Sequence, residues 1–302
     1  MKESALINGE CLDLKDAKIS IFDRGFLFGD SIYEVFKTQN SIPLYFDAHW
    51  ERFLESCRLI SLDLPFDKEE LFSSVKKIFK FSEIAYQEDI YIRMIFTRGI
   101  GLDLDIASAS DPSLIIFTKK LPSWNQQFYS RGIKLWLGDV LRNSTRSLSP
   151  SIKGGNYLNN ILGLTDAKNH QCDDVLFYNH DGLITECSNS NFFVIHDHQI
   201  ITAPANHGLL KGITRKVLLE EINIDSYEFV EAEIDNALLE QSREAFITST
   251  TRGVMPVGSI RSGAFEKEYY VGSDSVVRVI QKLYEEQVEL HLKEFSSLDL
   301  SE

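Results

Sequence analysis

The first 46 residues alternate between apolar and polar positions in short runs. ALINGE (residues 5–10), SIYEVFK (31–37) and SIPLYF (41–46) each predict a strand, because alternation with a period of two suits a half-buried sheet. Asn8-Gly9, near the end of the first run, and Gln39-Asn40, between the second and third, are turn-forming pairs. The pattern therefore predicts a small antiparallel sheet at the start of the chain.

The spacing of apolar residues then becomes helical. One stretch has apolar side chains at i, i+3, i+4 and i+7, namely Trp50, Phe53, Leu54 and Cys57. A second helical stretch covers residues 68–81, and IYIRMIFTRG and SLIIFTKKL return to strand. Strands grouped apart from helices predict an α+β unit, which we assign to residues 1–120.

The pattern changes again in the second half of the chain. LPSWNQQFYSRG has no clear period and contains Pro122, so residues 121–132 are predicted to connect two domains. Beyond it, LFYNHDGLIT and FFVIHDHQIIT predict hairpins, and helical spacing covers residues 156–170, 212–223 and 273–295. The sequence thus predicts an α+β protein with a small domain over residues 1–120 and a larger, strand-rich domain over residues 133–302.

The charge of the chain limits its partners. Its 302 residues carry a formal net charge of -14, which repels nucleic acid and anionic membranes, and no basic stripe opposes this total. No segment approaches the roughly 20 apolar residues of a membrane helix, and MKESALINGE lacks the apolar core of a signal peptide. We expect no nucleic-acid or membrane partner, and a cytoplasmic location.

Metal binding is not indicated by the sequence. His196 and His198 lie two residues apart without an evident third ligand. The four cysteines form no CxxC pair and are widely spaced, at Cys11, Cys57, Cys172 and Cys187. We therefore predict neither a zinc site nor a disulfide framework.

Lys153 is the first residue with candidate chemistry. It lies in SPSIKGGNYLNNIL, where two glycines precede a helical run with Leu158, Ile161 and Leu162 on one face. A lysine held at the end of an element can be desolvated, which lowers its pKa and frees the amine for a Schiff base. The alternative is an ordinary surface lysine in a loop.

Two further charged residues suit the same chemistry. Glu186 ends the strand LITE, and a carboxylate there could hold a pyridine nitrogen protonated. Arg52 lies off the apolar stripe of its helix, one turn after His49, and could contact a phosphate. An exposed glutamate at a strand end and a solvated helical arginine are the alternatives.

Two segments could cup a phosphate. Gly212-Ile213-Thr214-Arg215 opens a helix, whose first N–H groups and Thr214 hydroxyl would face an anion. Ser249-Thr250-Thr251-Arg252-Gly253 follows the strand AFIT and forms a turn rich in hydroxyls and amides. As a helix cap or an ordinary turn, neither segment would need a ligand.

In their order along the chain, these segments resemble the signature of the class IV (fold type IV) aminotransferases. DRGFLFGDSIYEVFK, HWERF, TRG and IKGGNYLNN come first, and ITECSNSNFF, LLKGITR and ITSTTRGVMPV follow. The resemblance covers most of the chain. It implies a small α+β domain, a larger pseudo-barrel domain, pyridoxal 5'-phosphate between them, and a homodimer.

The resemblance also implies a role for each matching residue. Lys153 would be the Schiff-base lysine and general acid–base, and Glu186 the partner of the pyridine nitrogen. The phosphate would be held by Arg52, Ile213, Thr214 and Thr250. Leu210 would pack against the cofactor ring, and the substrate would be faced by Tyr33, Lys37 and Thr251. Arg98 is a further candidate for binding the substrate carboxylate.

The implied reaction is a two-stage amino transfer with ping-pong kinetics. An amino acid gives its amino group to the cofactor, and a 2-keto acid then takes it. Two other outcomes stay open. One is a lyase of the aminodeoxychorismate type, which eliminates instead of transferring, and the other is a pyridoxal-phosphate-binding protein without turnover.

Different motifs of the chain resemble branches of the family that use different substrates. YEVFK resembles the D-amino-acid branch of the family, whereas GNY resembles the branched-chain branch with a lysine-to-tyrosine spacing one residue shorter. After Thr97-Arg98-Gly99, where the D-amino-acid branch has basic residues, this chain has Asp103 and Asp105. Each would repel a substrate carboxylate by about 1 kcal/mol in a hydrated cleft, unless both point to solvent. We therefore expect L-branched-chain donors first, amines second, and poor use of D-alanine and D-glutamate.

Overall fold

The computed structural model describes residues 2–84 and 88–301. The chain divides into two compact units. Unit 1 comprises Met1–Pro122, Ile152–Asn156 and Leu290–Glu302, and unit 2 comprises Ser123–Ser151 and Tyr157–Glu289. Among the described helices, none combines the length and the apolar character that crossing a membrane requires.

The described residues of unit 1 form one sheet and three α-helices. Its strands are β1 (Ser4–Ile7), β2 (Glu10–Asp13), β3 (Ser31–Gln39), β4 (Ile42–Pro43), β5 (Ile90–Thr97) and β6 (Ser113–Lys120). Its helices are α1 (Arg24–Phe28), α2 (Phe46–Leu59) and α3 (Lys68–Phe81). The six strands pair antiparallel in the order β2-β1-β6-β5-β3-β4, as the sequence predicts for the start of the chain.

The turns of this sheet follow from backbone preferences. Asn8 and Gly9 have φ angles of 48° and 86°, which is the left-handed backbone that a two-residue hairpin requires. The predicted strand over SIPLYF is wrong beyond Pro43. Tyr45 adopts a left-handed conformation and α2 begins at the next residue, and a proline without an N–H cannot continue a ladder.

The two faces of β3 have different neighbours. Ile32 and Phe36 belong to the hydrophobic core that α2 and α3 form with the sheet, together with Phe53 and Val75. Successive side chains of a strand point to opposite faces. Tyr33 and Lys37 therefore lie on the face of the sheet that α2 and α3 do not cover, which we call the uncovered face of β3.

Unit 2 contains nine strands and five α-helices. Its first elements are α4 (Gln126–Arg131), β7 (Ile133–Leu137), α5 (Leu158–Asn169), β8 (Asp174–Tyr178), β9 (Ile184–Cys187), β10 (Asn191–His196) and β11 (Gln199–Thr202). They are followed by α6 (Ile213–Glu221), β12 (Glu228–Glu231), α7 (Asn236–Gln241), β13 (Glu244–Ser249), β14 (Gly253–Arg261), β15 (Glu266–Glu268) and α8 (Val276–Glu294), whose residues from Leu290 onward are assigned to unit 1. Both predicted hairpins and the three predicted helices are present.

The main sheet of unit 2 closes on itself. Its strands run in the order β12-β11-β10-β13-β14-β7-β8-β9, and β9 also pairs with β10. The closing contact joins Glu186 and Asn191. Six strands thereby form a barrel, which confirms the predicted strand-rich pseudo-barrel architecture and places Glu186 at its seam.

Helix α5 packs on unit 2 through its small and polar side. Asn160, Gly163 and Ala167 are buried, and a Cβ on Gly163 would lie 2.5 Å from the ring of Phe177. The apolar stripe is instead exposed, with Leu158, Ile161 and Leu162 at 66%, 55% and 53%. The stripe noted in the sequence therefore does not belong to the core of its unit.

Candidate active site

Lys153 lies beside β3 in unit 1. Its carbonyl oxygen accepts a hydrogen bond from the Tyr33 N–H (2.9 Å), and its own N–H donates to Ser56 Oγ (3.2 Å). The side chain crosses Tyr33, with Nζ 3.4 Å from the Tyr33 hydroxyl and 4.4 Å from the ring centroid. Lys153 is half-buried. Two backbone contacts and one side-chain contact thus fix its amine on the uncovered face of β3.

Other cations share that face. The Arg93 guanidinium carbon lies 4.0 Å from the Tyr33 ring centroid, and Arg93 Nε is buried without a hydrogen-bond partner among the described residues. Burial lowers the pKa of Lys37, although the nearby Asp89 carboxylate acts in the opposite direction. Lys37, Arg93 and Lys153 together make this face suitable for a carboxylate.

Arg52 points to the opposite face of β3. Its Nε and Nη2 atoms each donate to the Glu34 carboxylate at 2.7 Å, and His49 Nδ1 lies 2.7 Å from Glu34 Oε2. Burial acts to raise the pKa of Glu34, but Arg52 and then His49 outweigh it and hold the pKa well below its usual range. Burial also lowers the pKa of His49 despite Glu34. Glu34 therefore orients the Arg52 guanidinium.

Arg98 anchors the turn after β5. Its Nε donates to Asp30 Oδ2 (2.8 Å), and its Nη atoms donate to the carbonyl groups of Ile60 and Ser61. Burial acts to raise the pKa of Asp30, but Arg98 and Arg24 outweigh it and hold that pKa below its usual range. These contacts give Arg98 a structural role within unit 1, and its predicted contact with substrate stays a prediction.

The acidic loop that follows is exposed. Asp105 accepts a hydrogen bond from the Ala107 N–H (2.9 Å), which caps a short 3-10 turn. The carbonyl oxygen of Asp103 accepts from Arg24 Nη1. Both carboxylates lie on exposed residues, in agreement with the alternative that they point to solvent.

Glu186 is a buried carboxylate in unit 2, with 4% of the residue exposed. Oε1 accepts from Arg142 Nε at 2.9 Å. Oε2 accepts from the Leu210 N–H at 3.1 Å and from Asn191 Nδ2 at 3.3 Å. The structure thus brings two of the predicted residues, Glu186 and Leu210, into direct contact.

The start of α6 lies close to the same cluster. Gly212 is its N-cap and supplies no side-chain cap, and Ile213 and Thr214 in the first turn are buried. A Cβ on Gly212 would lie 2.0 Å from Asn191 Oδ1, so only glycine fits there without moving the side chain that holds Glu186. Uncapped N–H groups at a helix start attract anions.

The second predicted phosphate segment is the turn between β13 and β14. Thr250 and Thr251 are half-buried in this turn, and the Ser249 hydroxyl is buried without a partner among the described residues. Tyr284 connects the two segments, because it bonds to the Thr214 hydroxyl and its ring would lie 3.4 Å from a Cβ added to Gly253. Burial raises the pKa of Tyr284 to about 12.

The donor set of unit 2 fits pyridoxal 5'-phosphate. The uncapped start of α6 and the orphaned Ser249 hydroxyl suit a phosphate. Glu186 suits a protonated ring nitrogen, because a buried carboxylate is an acceptor for a cationic N–H.

Three residues with clear contacts to these groups have no signal in the sequence. Arg93 alternates with apolar residues in a strand, Arg142 lies in a stretch without periodicity, and Tyr284 lies in a long helix far along the chain. Each is identified by its contact with a predicted residue. For Arg93, strand pairing could have supplied one indication: Arg93 lies opposite Val35, and so on the same face of the sheet as Tyr33.

Known proteins resemble the chain throughout its length. The family model for "Amino-transferase class IV" matches residues 31–260. A provisionally assigned branched-chain-amino-acid aminotransferase of Methanocaldococcus jannaschii is 30% identical over 84% of this chain and 86% of its own length. The D-alanine aminotransferase of Staphylococcus epidermidis (strain RP62A) is 30% identical over 94% of this chain and 98% of its own.

The fold agrees with these relatives. The branched-chain amino acid aminotransferase of Thermobaculum terrenum, solved in its PLP (pyridoxal 5'-phosphate) form, superposes with a TM-score of 0.81 at 21% identity, covering 98% of this chain and 97% of that one. The family match, the two relatives and the superposition identify the chain as a member of the class IV aminotransferase family, and so as an aminotransferase.

Proposed function

We propose that this aminotransferase uses pyridoxal 5'-phosphate and moves an amino group from an L-branched-chain amino acid to a 2-keto acid by a ping-pong mechanism. The observation that carries the proposal is the placement of Lys153, whose amine is fixed against Tyr33 on the uncovered face of β3. The structure of the Thermobaculum terrenum relative in its PLP form supports the choice of cofactor.

When bound, the cofactor supplies an electron sink that makes the α-proton of the amino donor removable. Lys153 Nζ would take that proton and return it during the transfer. Glu186 would hold the ring nitrogen, and Leu210 would pack against the ring. Arg52 and the segments containing Ile213, Thr214 and Thr250 would bind the phosphate.

The uncovered face of β3 supports the substrate assignment. Every amino acid and 2-keto acid carries a carboxylate, which Lys37 and Arg93 would attract. The other neighbours of Tyr33 on that face are Val35 and Ile95, both half-buried. An apolar surface beside cations suits a branched aliphatic side chain. Tyr33, Arg98 and Thr251 remain proposed substrate contacts.

Lys153→Ala tests the chemistry. We expect the variant to lose the visible absorbance band of lysine-bound cofactor and all amino transfer, because the amine is gone. Lys119→Ala is the matched control, since Lys119 Nζ lies 4.7 Å from the Tyr91 ring in the same unit. A Lys153→Ala variant with wild-type turnover would refute the assignment.

The same assay separates the alternatives. Bleaching of the band by L-leucine, with recovery on adding a keto acid, supports the transaminase. Release of pyruvate without an acceptor would indicate a lyase of the aminodeoxychorismate type, and a band that no donor bleaches would indicate a binding protein without turnover.

The substrate preference needs its own comparison, because one relative is a D-alanine aminotransferase. We expect kcat/KM for L-leucine to exceed the values for D-alanine and for (R)-amines. A clear preference for D-alanine would favour the D-amino-acid transaminase and overturn the substrate preference that we propose from the apolar surface beside Tyr33.

We also propose that the protein is a cytoplasmic homodimer. Contiguous exposed apolar side chains mark interaction surfaces. Unit 2 exposes the stripe of α5, and unit 1 exposes Ile21, Phe22, Phe26, Leu102 and Leu104. Light scattering should give twice the chain mass for the wild type, and Ile161→Glu should lower it. A monomeric wild type would refute the proposal.

A further inference from the structure

The barrel seam of unit 2 holds a buried ion pair between Arg142 and Glu186. Arg142 Nε donates to Glu186 Oε1 at 2.9 Å, and the two side chains are 9% and 6% exposed. A buried carboxylate beside a guanidinium keeps its negative charge, because the cation replaces the stabilisation that water would give. Arg142 therefore favours the ionised form of Glu186.

The guanidinium is held by more than Glu186. Its Nη1 atom donates to Asn159 Oδ1 (3.0 Å) and Asn160 Oδ1 (3.3 Å). Asn160 in turn donates from Nδ2 to the carbonyl oxygen of Ser188 at 2.6 Å. The Arg142 backbone N–H also donates to the carbonyl oxygen of Tyr178 at 2.8 Å. These anchors keep the cation in place whatever else Glu186 binds.

When Glu186 forms a hydrogen bond with a protonated partner, the two groups share a proton. The distance from Arg142 to each group decides which of them keeps that proton. Arg142 Nε lies within hydrogen-bond distance of the carboxylate, at 2.9 Å from Oε1, whereas a second cationic donor to Glu186 would repel Arg142 and therefore lie farther from it. A positive charge disfavours protonation more strongly at the nearer group, since Coulomb energy falls with distance. Arg142 thus lowers the proton affinity of the carboxylate more than that of the partner, and the shared proton stays on the partner.

From this geometry we infer that Arg142 is a positioning residue that keeps the shared proton on the pyridine nitrogen of bound pyridoxal phosphate by holding Glu186 ionised. The inference rests on the proposed function, because Glu186 is assigned to the ring nitrogen only there. Leu210 and Asn191 orient the other oxygen of Glu186 with neutral hydrogen bonds. Arg142 supplies the charge.

Nitrogen-15 NMR of ring-labelled cofactor bound to the protein tests the inference, because the shift of the ring nitrogen reports its protonation directly. Wild type should give the signal of a protonated nitrogen across the pH range in which it stays folded, since an arginine does not deprotonate in proteins. A wild-type signal of the unprotonated form at neutral pH would overturn the inference without any variant.

Variants separate charge from structure. Arg142→Gln keeps a hydrogen-bonding side chain but removes the charge, and we expect its signal to move toward the unprotonated form. Arg142→Lys restores the charge and should restore the wild-type signal. Arg278→Gln is the matched control, because half-buried Arg278 donates to Gln281 and the Ser130 carbonyl in the same unit.

The outcomes distinguish this inference from the proposed function. Wild-type protein that develops no visible band with pyridoxal phosphate contradicts the proposed function itself. Protein that binds the cofactor, with the same nitrogen signal in Arg142→Gln and wild type, contradicts only the role of Arg142. If Arg142→Gln does not fold, the wild-type pH series and Arg142→Lys still decide.

Discussion

Replacing Arg52 with alanine would leave Glu34, which is fully buried, without its cation. Breaking a buried ion pair by removing one partner costs about 3–5 kcal/mol, because an uncompensated charge stays in the interior. Protonation of His49 would return part of the charge, so we expect the lower end of that range. Against a total stability of about 5–15 kcal/mol, this is a large loss.

The effect should depend on pH in a defined direction. The folded-state pKa of Glu34 lies below the unfolded value of about 4.3. The group therefore stabilises wild type above about pH 4.3, and this contribution is lost as the pH falls through the folded value. Without Arg52, burial raises the pKa of Glu34, so the buried charge destabilises the variant at neutral pH and less after protonation. The difference in unfolding free energy between wild type and Arg52→Ala should therefore shrink toward pH 4.

Hydrogen exchange of the β3 and α2 amides in cofactor-free protein measures this loss without any contribution from phosphate binding. Arg58→Ala is the control on the same helix, because Arg58 pairs with Glu55 at the surface, and it should change the opening free energy little. An Arg52→Ala protein with wild-type protection, or a loss that does not change with pH, would refute the account of the Glu34 cluster.

The remaining predictions concern unit 2. Tyr284→Phe should weaken pyridoxal-phosphate binding several-fold, because the hydroxyl that orients the first turn of α6 is lost. Tyr269→Phe is the control, because it removes a buried hydroxyl that bonds to the Leu239 carbonyl, and it should not weaken binding. Equal dissociation constants for wild type and both variants would contradict this prediction. Gly212→Ala should lower the melting temperature and the cofactor affinity by displacing Asn191, while Gly263→Ala, with nothing within 4 Å of the added Cβ, should change neither. A Gly212→Ala protein that matches wild type in calorimetry would argue against the close approach.

Local patterns predicted the elements well. Helix α3 spans residues 68–81 as predicted. Its apolar spacing and a capping box formed by Asp67 and Glu70 both define it within one short segment. The hairpins were predicted equally well, because the turn residues and the two alternating strands that they join lie in one short segment of the sequence. The same reasoning failed at SIPLYF, where the run continues past Pro43 into a left-handed residue and a helix.

The helical spacing of apolar residues was less reliable in predicting which side chains are buried. Leu54 belongs to the apolar spacing of α2 but is 40% exposed. The stripe on α5 is exposed as well, while Asn160 is buried because it bonds to Arg142 and Ser188. A pattern shows which residues share a face of a helix. It does not show whether that face meets the core of the chain or another surface.

The sequence by itself determined the order of elements, the family motifs and the choice of Lys153 and Glu186 as candidates, because these depend on residues close together in the chain. Only the tertiary structure decided which charges meet. Arg142 and Glu186 are 44 positions apart, and Ile152–Asn156 joins unit 1 from the middle of the chain. Such pairs form when distant segments pack, and burial then makes compensation of each charge necessary.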